Sequence, residues 1–160
     1  MRNLLLTISF DGTAYHGWQV QDNAITIQQT LQDAFEKICS SRDNVVGCSR
    51  TDAGVHANMY CCNIRTENPI ACEKLVGALN AILPRDIAAV DCKEVDFDFH
   101  ARYDCKSKEY IYKINMGMYN PIEKDYVFQY NKKLDIPEME RALKYLEGTH
   151  DFKSFVKTDE

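Results

Sequence analysis

Apolar residues recur along this chain with two distinct periods. Leu4, Leu6, Ile8 and Phe10 alternate with Leu5, Thr7 and Ser9, the period of two that predicts a strand. Asp11-Gly12-Thr13 breaks the alternation, and a loop bearing Tyr15, His16 and Trp18 follows, to about Asn23. Thr26 with Gln29 three positions on is a capping-box pattern. Ile27, Leu31, Ala34, Phe35 and Ile38 then share one helical face. Val45 and Val46 open a short strand, residues 56–64 read as another, and Asn68-Pro69 breaks the chain again. Ala71, Leu75, Ala78, Leu79 and Ile82 give a second amphipathic helix stopped by Pro84, and residues 87–95 a fourth strand. The order β-α-β-β-α-β predicts the α+β class: a ferredoxin-like split βαβ domain, with two helices on one face of an antiparallel sheet.

After Arg102 the pattern restarts. Lys108, Tyr110, Tyr112 and Ile114 alternate as a strand, and residues 126–130 read as another. Asp135-Ile136-Pro137-Glu138 is a helix start with Asp as cap and Pro in the first turn. Met139, Ala142, Leu143 and Leu146 form its apolar face, and Gly148 suits its stop. So few elements cannot close a layer of their own. The expected division is therefore 1–105 for the first domain and 106–160 for a second unit that reads as unfinished.

Composition narrows the class without assigning a task. The chain has 160 residues, 45% hydrophobic and 27% charged, which is ordinary for a globular protein with a real core. No apolar run is long enough for a membrane span and the first residues lack a signal-peptide pattern, so a cytoplasmic location is expected. The seven cysteines are odd in number and contain no C-x-x-C pair. The four histidines fall in separate segments. Reduced thiols and no bound metal are expected. A net charge of −5 argues against a generally adhesive nucleic-acid binder. It leaves room for a local basic cleft built from Arg50, Arg85, Arg102, Lys106 and Lys108.

The segment Gly47-Cys48-Ser49-Arg50-Thr51-Asp52-Ala53-Gly54-Val55-His56-Ala57 is the most pointed candidate for chemistry. It sets one carboxylate in a short polar loop between strand-like stretches, where a rigid scaffold presents functional groups. Gly54 can take positive φ, and Arg50 offers a cation nearby. Two readings of Asp52 are open from spacing alone: a presented catalytic carboxylate, or a turn residue bonding its own backbone. Arg50 could likewise serve the carboxylate or pin the loop through backbone carbonyls.

Arg50-Thr51-Asp52-Ala53-Gly54-Val55-His56-Ala57 resembles the signature loop of the tRNA pseudouridine synthase A family. Four further segments resemble that family in the same order. They are 10–19, which reads Phe-Asp-Gly-Thr-Ala-Tyr-His-Gly-Trp-Gln, 26–31, 78–84, and Phe97-Asp98-Phe99-His100-Ala101-Arg102 followed by Lys108-Glu109-Tyr110-Ile111-Tyr112. The resemblance implies isomerisation of uridine to pseudouridine at positions 38, 39 and 40 of the tRNA anticodon stem-loop, with no cofactor. It makes Asp52 the catalytic carboxylate, stacks Tyr110 on the flipped uracil, and assigns Arg50 and Arg102 to substrate binding. It implies a homodimer with tRNA as partner. A non-catalytic tRNA-binding fragment of such an enzyme is the alternative, because family members continue beyond the point reached at Glu160. His56 and His100 are expected to make structural hydrogen bonds or to line the RNA cleft. Tyr15 and Trp18 would either touch RNA or pack over the sheet edge.

Overall fold

The computed structural model of the chain describes residues 1–156. Residues 157–160, the last of the predicted second domain, lie outside the described residues. Two compact units are present, Met1–Glu109 and Tyr110–Glu160.

The first unit follows the predicted order. β1 (Arg2–Phe10), α1 (Ile27–Cys39), β2 (Val45–Gly47), β3 (Ala57–Thr66), α2 (Cys72–Ile82) and β4 (Ile87–Val95) succeed one another. The strands form one antiparallel sheet in the order β2-β3-β1-β4, so β1 is central and pairs with both β3 and β4. The alternation seen in the sequence is the reason for the layering. Leu4, Leu6, Ile8 and Phe10 are buried, as are Tyr60, Cys62 and Ile64 opposite them. They meet Ile27, Leu31 and Phe35 of α1 and Leu75 and Leu79 of α2 in one hydrophobic core. Each fully buried side chain of this size stabilises the fold by about 1.5–3 kcal/mol relative to exposure.

Local chemistry fixes the ends of these elements. The Thr26 side chain accepts from the Gln29 backbone amide and caps α1, as its pattern predicts. Its other end closes at Ser40, which takes φ 54 and donates its N–H to the Glu36 carbonyl. The register of β1 against β4 slips between Thr7 and Ile8, because Val90 is an extra residue there. Asn80 of α2 compensates. Its amide donates to the Ala89 carbonyl at 2.9 Å and accepts from the Ala89 N–H at 2.7 Å.

The second unit is sparser. The strand predicted over 108–114 does not form. Only β5 (Ile114–Asn115) appears, paired in parallel with β6 (Phe128–Gln129) inside the predicted 126–130 stretch. An alternating sequence makes a strand only where a neighbour supplies ladder partners, and the two strands meet over two residues each. The predicted helix is present as α3 (Ile136–Leu143), with the Asp135 side chain accepting from the Glu138 amide and Pro137 in the first turn. Gly148 takes φ +105 downstream of it. Met139, Leu143 and Leu146, its expected apolar face, are exposed.

Candidate active site

The Asp52 loop does not stand free. It is seated on the loop that follows β1. Trp18 donates its backbone N–H to the Thr51 carbonyl at 3.1 Å, and Gly54 donates to the Tyr15 carbonyl at 3.2 Å. Gly17 makes this approach possible. It sits at φ +81, and a Cβ there would lie 2.2 Å from the Thr51 oxygen. Tyr15 and Trp18 are therefore buried packing residues, which settles the choice between packing and RNA contact for those two side chains. The Trp18 ring stacks on Tyr60 with centroids 4.4 Å apart, and the Tyr60 hydroxyl donates to the Ser49 carbonyl at the root of the Asp52 loop. Tyr15 in turn donates to Asp86 at 2.7 Å. Burial first, and then that hydrogen bond, push its phenol far above the ordinary tyrosine value.

Within the loop, the turn closes by backbone alone. Val55 donates to the Asp52 carbonyl at 3.3 Å, with Gly54 at φ +79 as its sequence position suggested. Among the described residues the Asp52 side chain enters no hydrogen bond or ion pair, and the residue is exposed. A turn residue bonding its own backbone would show the opposite. No ion pair joins Arg50 to Asp52 among the described residues, and the exposed Arg50 guanidinium pins no backbone carbonyl. Both charged groups of the loop are thus presented to solvent from a rigid seat, free to meet a ligand.

The segment carrying Arg102 is held by a different device, on the sheet face away from the helices. Asn3, 1% exposed, donates to the carbonyls of Asp96, Phe97 and Phe99 at 2.8–3.2 Å. Asn63 on the neighbouring strand donates to the Asn3 side chain at 3.0 Å and accepts the Ala101 amide at 2.8 Å. This buried amide relay went unseen in the sequence, where Asn63 reads only as a poor strand residue. The signal available was its alternation with the buried Cys62 and Ile64. His100 accepts the Arg102 backbone amide and stacks on Tyr103 at 4.2 Å, a hydrogen bond of the structural kind expected for it. The Arg102 side chain is exposed, with no ion pair among the described residues.

Among the described residues no hydrogen bond or ion pair joins Asp52, Arg50 and Arg102 to one another. Asp52, Arg50 and Arg102 belong to the first unit. Tyr110, 64% exposed, opens the second, outside any strand. An open recess of about 420 Å³ lies against the loop after β1, lined in part by His16, Asn23 and Gln29. Its size is that of a small-molecule or nucleotide-sized guest. No group of three or more metal-ligating side chains occurs among the described residues, and all seven cysteines are free. No helix among them is long and apolar enough to cross a membrane.

Residues 6–104 match the family model described as tRNA pseudouridine synthase. A protein of Clostridium acetobutylicum named tRNA pseudouridine synthase A is 46% identical over 159 residues, covering 99% of this chain and 65% of the relative. Its namesake in Clostridium kluyveri is 48% identical over 158 residues, covering 98% and 65%. That of Caldicellulosiruptor bescii is 43% identical over 160 residues, covering 99% and 66%. The chain therefore spans just under two thirds of the length of these curated relatives.

Proposed function

Because this chain belongs to the tRNA pseudouridine synthase family, we propose that it isomerises uridine to pseudouridine in tRNA, at positions 38, 39 and 40 of the anticodon stem-loop. The observation that supports this most directly is the Asp52 carboxylate: exposed, uncommitted to any partner among the described residues, and carried on a loop seated by backbone hydrogen bonds. The reaction breaks the bond from uracil N1 to ribose C1′, turns the base, and forms a bond from C5 to C1′. The C5 proton is lost and N1 ends protonated, so no electrons enter or leave and no cofactor is required. Asp52 supplies the carboxylate that attacks the sugar or base, or assists a glycal route.

Reaching a stacked uridine requires flipping it out, at a cost of a few kcal/mol. Tyr110 would offset part of this by stacking on the uracil. The guanidinium groups of Arg50 and Arg102, without an ion pair among the described residues, suit tRNA phosphates, where each contact positions the substrate without reading sequence. In this reading the enzyme works in the cytoplasm as a homodimer, residues 1–105 carry the carboxylate loop, and residues 106–160 begin the second domain.

The test is tritium release from C5-labelled uridine in unmodified tRNA. The parent chain should release it. Asp52→Asn should lose at least about 10⁴-fold in rate, the scale on which a reacting side chain is missed, while tRNA affinity and fold persist. Equal loss of binding and release would remove Asp52 from the chemistry. A folded parent that binds tRNA in a salt-sensitive manner but releases nothing would leave the tRNA-binding reading in its place.

A further inference from the structure

Four residues beyond Asp52, the His56 ring enters the turn that opens the loop after β1. Its Nδ1 accepts the Gly12 backbone N–H at 3.1 Å and lies 3.0 Å from Asp11 Oδ1. That turn is itself firmly built. Asp11 Oδ1 accepts from the Thr13 amide at 2.9 Å and the Thr13 hydroxyl at 2.6 Å, and the Asp11 amide donates to the Asp86 carbonyl at 2.8 Å. The two loops touch so closely that a Cβ on Gly12 would stand 2.0 Å from the Val55 oxygen. Val55 is also the residue whose amide closes the turn on the Asp52 carbonyl. The His56 side chain crosses this contact to fasten the far end of the Asp52 turn.

We propose that His56 is a positioning residue for Asp52, acting through Nδ1, and that its Nε2 takes no part in the chemistry. The inference rests on the reading of Asp52 as the reacting carboxylate. A neutral imidazole accepts from Gly12 at Nδ1, and an imidazolium donates to Asp11 from the same atom. Both partners lie in one turn, so the tie holds in either state. Loss of the tie lets the Asp52 loop shift, and a misplacement of about 1 Å is enough to cost roughly 10²-fold in rate.

Three variants of the full chain separate the two ring nitrogens. Asn carries its amide oxygen near the place of Nδ1, Gln near the place of Nε2, and Ala has neither. His56→Ala and His56→Gln should lower kcat by about 10²-fold with little change in KM for tRNA. His56→Asn should recover most of kcat. A second readout needs no activity. Trp18 is the sole tryptophan, is buried, and donates its backbone N–H to Thr51. Its emission should move to the red in the Ala and Gln variants and stay in place with Asn. Recovery by Gln and not by Asn would overturn the proposal in favour of chemistry at Nε2. So would parental kcat and emission in all three. If the parent releases no tritium, the reading of the activity fails by itself and Trp18 emission decides the positioning role. The Asn-against-Gln comparison, made at equal helical content, decides it where Ala does not fold.

Discussion

At the scale of single residues, the site is assembled from groups with opposite fates. Asp52, Arg50 and Arg102 keep their charges uncommitted among the described residues, whereas Tyr15, Trp18 and Tyr60 give up their polar or aromatic surface to hold the loops. Tyr15 makes the cost of that arrangement measurable. Its folded-state phenol releases its proton far above 10.0, the value for an exposed tyrosine, because of burial, the hydrogen bond to Asp86, and the charges of Asp86 and Asp11. Below pH 10.0 both states hold the proton and the full contribution is present. Above it the unfolded chain ionises first, so stability falls as pH rises toward the folded value. Denaturant midpoints taken below and above pH 10.0 should therefore drop with pH, and less steeply in Tyr15→Phe. An unchanged slope in that variant would detach Tyr15 from the effect. The sequence made Asp52 and its loop conspicuous, since turn formers and a carboxylate stand out between strands. It did not disclose whether the carboxylate was spent on the turn, because that depends on Val55 finding the Asp52 carbonyl instead.

At the scale of elements, the six pieces of the first unit were legible because each carries a local signal: alternation in β1, a cap at Thr26, a proline after α2. Non-local partnerships were not legible. The strand expected over 108–114 has alternation but no neighbour over most of its length, and shrinks to Ile114–Asn115. The Asn3–Asn63 relay is likewise invisible until β1 and β3 are paired, Leu5 against Asn63. Asn63→Leu should be costly for so small a change of volume. It strips a hydrogen-bond partner from the Ala101 amide and from the Asn3 side chain, each loss worth about 1–3 kcal/mol when buried. The denaturation midpoint should fall accordingly, and amide exchange at Ala101 should quicken more than in β1. A variant as stable as the parent would show that water replaces the relay.

At the scale of the whole chain, the two units differ in how they are held. The first has one continuous core, while no described residue from Lys106 onward is buried. Regions with little buried apolar contact open at low free energy. Brief trypsin treatment should cut first among residues 110–156 and leave a resistant product ending near Glu109, as read by intact mass. Cleavage spread evenly over both units would contradict this. Within the first unit, the two site segments hang from opposite ends of one strand: residues 96–101 from Asn3, and the Asp52 loop from the Asp11-Gly12 turn just past Phe10. β1 thereby sets the span between them, at about 3.3 Å for each residue. Deleting one residue from it would shorten that span and turn every later side chain to the opposite face. Insertions in the connections from α1 to β2 and from β3 to α2 leave it untouched. Lineages of this protein should therefore vary in the length of those two connections while the count of residues from Asn3 to Gly12 stays constant.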